Sequence, residues 1–167
     1  MIMSISVMFW NVQGAEASNF RLSFDAIIQC YNPSMVVMLE LRISSQKTDN
    51  FIRGCGFERS DRIKAVGFSG GIWILWRGFI TVEIVLNHKQ FVHFKIISSN
   101  GLESWVTAVY ASPIPIVRRE LWHHLANIAS QMTDPWLVGG DFNVILYAHK
   151  KKEDSNRTSG ICNLFNH

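Results

Sequence analysis

Three apolar runs in this chain each close on a polar side chain of a type that ligates metals or moves protons. Phe9-Trp10 leads to Asn11, the run 35–39 leads to Glu40, and the run 136–140 leads to Asp141, with Asn143 two residues beyond. A carboxylate closing a run as apolar as Val36-Val37-Met38-Leu39 would be costly to bury unpaired, so a metal ion or a cationic partner is implied. Strand ends are where sites gather in α/β folds. In Asp141-Phe142-Asn143 an extended backbone would point the two polar side chains the same way while Phe142 faces the core. That arrangement suits one group to orient a water and the other to hold the oxygen under attack. The competing account has Glu40 and Asp141 merely capping neighbouring helices or turns.

A second local pattern, Gly67-Phe68-Ser69-Gly70-Gly71, is a literal G-x-S-x-G, followed by Asp141 and then His149 or His167 in the chain order of a hydrolase triad. A nucleophile elbow needs a strand before the serine and a helix after it. Here residues 72–76 continue as a strand-like run, so a glycine-rich turn leading into a strand is the better account, with a serine hydrolase built on Ser69 as an alternative. The histidines offer little more. His88 reads as a turn residue, His93 alternates with Lys95 on the outer face of a strand, His123 and His124 flank a helix, and His149 sits in a basic loop; solvated surface positions are expected for all five.

The elements that must position these groups are read from periodicity. Phe20, Phe24, Ile27, Ile28 and Tyr31 form one helical stripe, with Ser18 or Asn19 as cap and Pro33 beyond its end. Leu121, Leu125, Ile128, Ala129 and Met132 form another between Pro115 and Pro135. Short runs rich in β-branched and aromatic residues at 5–12, 35–41, 71–76, 81–86, 91–97, 105–110 and 136–140 read as buried strands. The middle four, joined by short polar turns, predict an antiparallel meander, while the flanking units read strand, helix, strand. A mixed α/β architecture in one domain over residues 1–167 follows, with 150–160 as an exposed loop.

Composition sets the outer bounds. Hydrophobic residues make up 48% and charged residues 17% of the 167, which excludes a disordered or low-complexity chain. Cys30, Cys55 and Cys162 are odd in number, widely spaced and nowhere C-x-x-C, so neither a disulfide framework nor a zinc cluster is read from them. The apolar start lacks a basic n-region, and no run approaches the ~20 residues needed to cross a bilayer, so a soluble intracellular protein is expected. A net charge of +3 suits a polyanionic partner without demanding one.

Taken in order, Phe9-Trp10-Asn11-Val12-Gln13-Gly14, Met38-Leu39-Glu40-Leu41-Arg42, Ser69-Gly70-Gly71, Val109-Tyr110-Ala111-Ser112-Pro113 and Trp136-Leu137-Val138-Gly139-Gly140-Asp141-Phe142-Asn143 resemble the motif set of the endonuclease/exonuclease/phosphatase superfamily. The chain is most similar to the endonuclease domains of plant LINE-type retrotransposons, from the first strand to about Gly160. The resemblance implies a four-layer α/β sandwich with mixed sheets (DNase I-like) and a phosphodiesterase using Mg²⁺ or Mn²⁺. By motif position Asn11 and Glu40 would bind the metal, Tyr110 would contact the phosphate, Asp141 would orient or activate the attacking water, and Asn143 would hold the phosphate or that water. It implies nucleic acid, DNA first, as substrate, and work in the nucleus.

Two departures accompany the resemblance. Glu40-Leu41-Arg42 stands where the family usually has Glu-Thr-Lys, and no Ser-Asp-His, the family's source of a transition-state histidine, occurs in the sequence. The chain therefore reads as a domain lacking its C-terminal segment, with an impaired nuclease as the first expectation. A non-catalytic remnant that only binds divalent metal or nucleic acid is the second.

Overall fold

Alternation along the strands sorts their apolar side chains onto two faces, and the chain buries both. The computed structural model describes residues 4–12, 20–41, 45–63 and 71–144. Within them run β1 (Val7–Asn11), α1 (Phe20–Tyr31), β2 (Met35–Leu41), α2 (Ser45–Gly54), β3 (Arg59–Ile63), β4 (Gly71–Trp76), β5 (Ile80–His88), β6 (Phe91–Ser98), β7 (Glu103–Tyr110), α3 (Pro115–Gln131) and β8 (Trp136–Asp141). Two four-stranded sheets result, in the orders β1-β2-β4-β3 and β5-β6-β7-β8. Each holds one parallel pair, β1 with β2 and β7 with β8, and the helix between each pair's strands supplies the crossover that a parallel connection needs.

Three clusters stack these elements into four layers. Val37, Leu39 and Ile74 of the first sheet meet Phe94, Ile96, Val106 and Ala108 of the second between the sheets. On the outer face of the first sheet, Val36, Met38, Trp73 and Leu75 pack under Phe24 of α1 and Phe51 of α2. Phe91 and Val109 lie against Leu121 and Ile128 of α3 on the outer face of the second. The expected α/β sandwich of mixed sheets is therefore the observed fold. No helix among the described residues is long and apolar enough to cross a membrane.

The four-strand meander needs correction. β4 pairs with β2 and β3 in the first sheet, and only β5, β6 and β7 form the meander. With five of its six residues buried, β4 takes a central place between two partners, and the chain changes sheets at Arg77-Gly78. Short polar turns serve a hairpin and a sheet switch equally well. α2 and β3 had no periodic signal: α2 carries only Phe51 and Ile52 as large apolar residues, and four of the five residues of β3 are exposed. The expected cap at Ser18 or Asn19, Ser69, His149, His167, Cys162 and the loop 150–160 lie outside the described residues.

His93 is a second correction. It occupies the outer face as expected but is only 4% exposed. Trp105 stacks on its ring at a centroid distance of 5.0 Å, and its Nδ1 lies 2.8 Å from Thr107 Oγ1, which also accepts the Trp136 indole N–H. His88 and His124 are likewise half-buried rather than solvated.

Phe9 of β1 crosses β8 at Gly139, where the two sheets approach closely. A Cβ at Gly139 would lie 2.6 Å from Phe9 Cε2. At the next residue, Gly140, φ is +133° and a Cβ would fall 2.0 Å from the carbonyl oxygen of Val109, so neither position has room for a side chain.

Two predictions follow from this packing. Gly139→Ala should destabilise the fold by about 1–3 kcal/mol through overpacking. Combined with Phe9→Leu it should cost less than the sum of the single changes, because the two positions touch; denaturant unfolding of the four-member cycle measures that coupling, and strict additivity would refute the contact. Burial also holds the His93 imidazole below the ordinary histidine value of 6.5. As pH falls, the unfolded chain takes up that proton first, so stability is complete above 6.5 and declines below it. Urea midpoints measured across this range should fall less steeply in His93→Gln than in the parent.

Candidate active site

The two-residue strand period decides which side chains reach the cleft between the sheets. Val7 and Phe9 pack into the inter-sheet core, so Asn11, two further on, faces the second sheet. On β8, Trp136 and Val138 lie under α3, leaving Gly139 and Asp141 to face the first sheet. Because Gly139 lets Phe9 approach, the next inward residues meet: Asn11 Nδ2 donates to Asp141 Oδ2 at 2.7 Å. A carboxylate only accepts, so the amide orientation of Asn11 is fixed, with its Oδ1 turned away from Asp141. That oxygen is buried and has no hydrogen-bond partner.

The other expected residues gather at the same strand ends. Leu39, the register partner of Asn11, packs into the inter-sheet core, and Glu40 follows it in β2 where the pairing with β4 shifts register between Met38 and Leu41. Tyr110, the last residue of β7, is the register partner of Asp141 and packs at the margin of the inter-sheet core. Asn143 departs from the extended geometry expected for it. Its φ is +49°, a left-handed conformation that asparagine tolerates better than most residues. In that turn its backbone N–H donates to Asp141 Oδ1 at 2.8 Å and its Nδ2 to the Ala111 carbonyl at 2.7 Å. Asp141 thus accepts one hydrogen bond on each oxygen, which fixes the plane of its carboxylate. Phe142, between them, stacks on Trp122 of α3 at 5.8 Å.

Sequence reasoning missed the groups that hold the end of β7. Gln90, fully buried in the turn between β5 and β6, accepts the Tyr110 N–H on its carbonyl at 2.8 Å and the Ser112 N–H on Oε1 at 2.8 Å. Its Nε2 donates to the Val117 carbonyl at 2.9 Å. Buried Arg118 donates from Nη1 to the Ser112 carbonyl at 2.7 Å, fixing the segment that presents Ala111 to Asn143. A lone glutamine between two apolar strands carries no pattern that would have singled it out.

The free oxygen of Asn11 fits a hard divalent cation: Mg²⁺ and Mn²⁺ take oxygen ligands, and the orphaned Oδ1 is an acceptor of that type. The other orphaned buried atom among the described residues, Trp76 Nε1, is a donor and cannot ligate a cation.

The sequence matches the family described as Endonuclease/Exonuclease/phosphatase over residues 8–157. Among curated proteins no sequence matches. Among solved structures, TDP2 from C. elegans superposes with a TM-score of 0.61 at 15% identity, covering 91% of this chain and 51% of that one. D. rerio TDP2 complexed with single strand DNA product gives 0.64 at 17% identity, with 84% and 61% covered. The endonuclease domain of TRAS1, a telomere-specific non-LTR retrotransposon, gives 0.60 at 17% identity, again with 84% and 61% covered. The chain thus spans about half to three fifths of the length of these structures.

Proposed function

The chain belongs to the endonuclease/exonuclease/phosphatase family, and on that premise we propose that it is a metal-dependent phosphodiesterase acting on nucleic acid, DNA first, and derived from a plant LINE-type retroelement. The observation that carries this reading is the meeting of Asn11 and Asp141 across the two sheets, with one oxygen of Asn11 left for a cation. A DNA substrate is supported by the fold likeness to a TDP2 described with a single-stranded DNA product and to a retrotransposon endonuclease domain.

In this reading Asn11 Oδ1 and the Glu40 carboxylate hold Mg²⁺ or Mn²⁺. Bound there, the ion supplies charge stabilisation for the phosphate oxygens. Each oxygen of Asp141 keeps a second lone pair after its existing hydrogen bond, and one of them accepts a proton from the attacking water. Asn143 keeps the carboxylate plane fixed through its backbone N–H, while its Nδ2 stays on the Ala111 carbonyl. The Tyr110 hydroxyl, on the register partner of Asp141, contacts the phosphate.

If Asn11 and Glu40 are the ligands, Mg²⁺ at a hundredfold excess over its Kd should raise stability by about 2.7 kcal/mol. Asn11→Ala and Glu40→Ala should each remove that increase in a thermal melt, and an undiminished increase in both would take these residues out of the site. Nicking of supercoiled plasmid by the full chain tests the reaction itself. Cleavage should stop in EDTA and fall by about a hundredfold or more in Asp141→Ala. EDTA-resistant cleavage would overturn the reading, whereas metal-dependent stabilisation without cleavage would favour a chain that only binds metal or nucleic acid.

A further inference from the structure

On the far side of the second sheet, the end of β5 faces one side of α3. Glu120 and His124 stand four residues apart on α3 and therefore share a face, and His88 closes β5 opposite them. One potential ligand atom from each of the three lies within 4.8 Å of the others. The two imidazole rings are 4.4 Å apart between centroids, and Phe91 backs both, at 4.8 Å from His88 and 5.7 Å from His124. Nothing in the strand-end chemistry uses these residues.

We propose that His88, Glu120 and His124 form a second metal site, specific for a borderline transition metal of the zinc class. Two imidazole nitrogens and one carboxylate oxygen are the ligand types that Zn²⁺ prefers and Mg²⁺ does not. The preparation of the ligands agrees. The His88 and His124 rings face each other at a centroid distance of 4.4 Å, so both imidazoles reach one point. The His88 Nδ1 is the acceptor nitrogen of the ring, taking a long 3.3 Å contact from the Gln90 N–H that a metal at this nitrogen would displace. Lys89 keeps the Glu120 carboxylate charged through an ion pair at 2.5 Å, and it is the competitor that an entering cation would displace. Occupancy would clasp the β5–β6 turn to α3. That turn carries Gln90, the residue holding Tyr110 and Ser112, so the clasp stiffens the end of β7 without joining its chemistry.

The test is calorimetric titration of the full chain carrying Glu40→Ala with ZnCl₂ in excess Mg²⁺, which removes the strand-end site from the readout. One equivalent of Zn²⁺ should bind, and its Kd should weaken by more than about tenfold in His124→Gln and in Glu120→Gln. Lys89→Ala should tighten it, a change in the opposite direction that a misfolded variant would not mimic. Acidification from about pH 7.5 to 5.5 should abolish binding as the imidazoles take up protons. Co²⁺ in place of Zn²⁺ should give visible absorption bands that disappear in His88→Gln. No binding, or a Kd unmoved by His124→Gln and Glu120→Gln alike, would overturn the proposal. Neither result bears on the strand-end site, whose Mg²⁺ response is measured separately.

Discussion

The approach of Phe9 to Gly139 sets the distance on which the rest of the structure depends. In most sandwiches the inner faces interdigitate side chain against side chain, and the sheets stand about 10 Å apart. Here one partner in that contact has no side chain, so an aromatic ring of β1 lies directly on the backbone of β8. The next inward pair along the two strands, Asn11 and Asp141, is thereby brought to 2.7 Å. A methyl group at Gly139 would push the ring away and separate two side chains that it does not touch. The glycine doublet before Asp141 therefore has two physical reasons: Gly139 for the opposite sheet, Gly140 for its own sheet's Val109 carbonyl.

Around that contact the polar groups are spent in an ordered way. Asp141 receives a donor from each side, Asn11 from the other sheet and Asn143 from its own chain two residues on. Asn143 in turn reaches Ala111, Ala111 N–H donates to the Asp141 carbonyl at 2.8 Å, and Gln90 holds Tyr110 and Ser112 on either side of Ala111. The ends of β7 and β8 are thus locked to each other by hydrogen bonds as well as by the packing under α3. Local bonds of this kind let a strand end hold fixed side chains at an opening in the core, where apolar contacts thin out.

Much of this organisation was legible in the sequence because it follows from period. The helix stripe from Phe20 to Tyr31 and the strands β2 and β4 are bounded in the structure where their apolar runs begin and end. Of the polar residues closing three runs, Asn11 and Asp141 do meet at one end of the sandwich, and one oxygen of Asn11 has no partner there. What period could not carry was partner choice. β4 looks like the first strand of a meander, and only its burial on both faces assigns it to the other sheet. Asn11 and Asp141 lie 130 residues apart, so no local pattern couples them. His93 alternates with Lys95 as a surface histidine would, yet Trp105 and Trp136 from neighbouring strands bury it. Asn143 was expected to extend the strand, but a left-handed turn redirects its amide from the cleft to the backbone.

An unpaired acceptor buried at a sheet junction carries a cost of about 1–3 kcal/mol relative to one that is satisfied. Asn11 Oδ1 is in that position, held there by its own Nδ2 bond to Asp141. The inter-sheet pairing therefore holds an acceptor free at the place where the proposed cation would take it. If a cation binds there as proposed, metal affinity and fold stability are linked in both directions, since a ligand that binds the folded state alone stabilises it. Substitutions that loosen the Phe9–Gly139 contact should then weaken the proposed cation site even though they touch none of its oxygens. The same logic gives Gly139 a part in the pairing of Asn11 with Asp141: the residue contributes by leaving room.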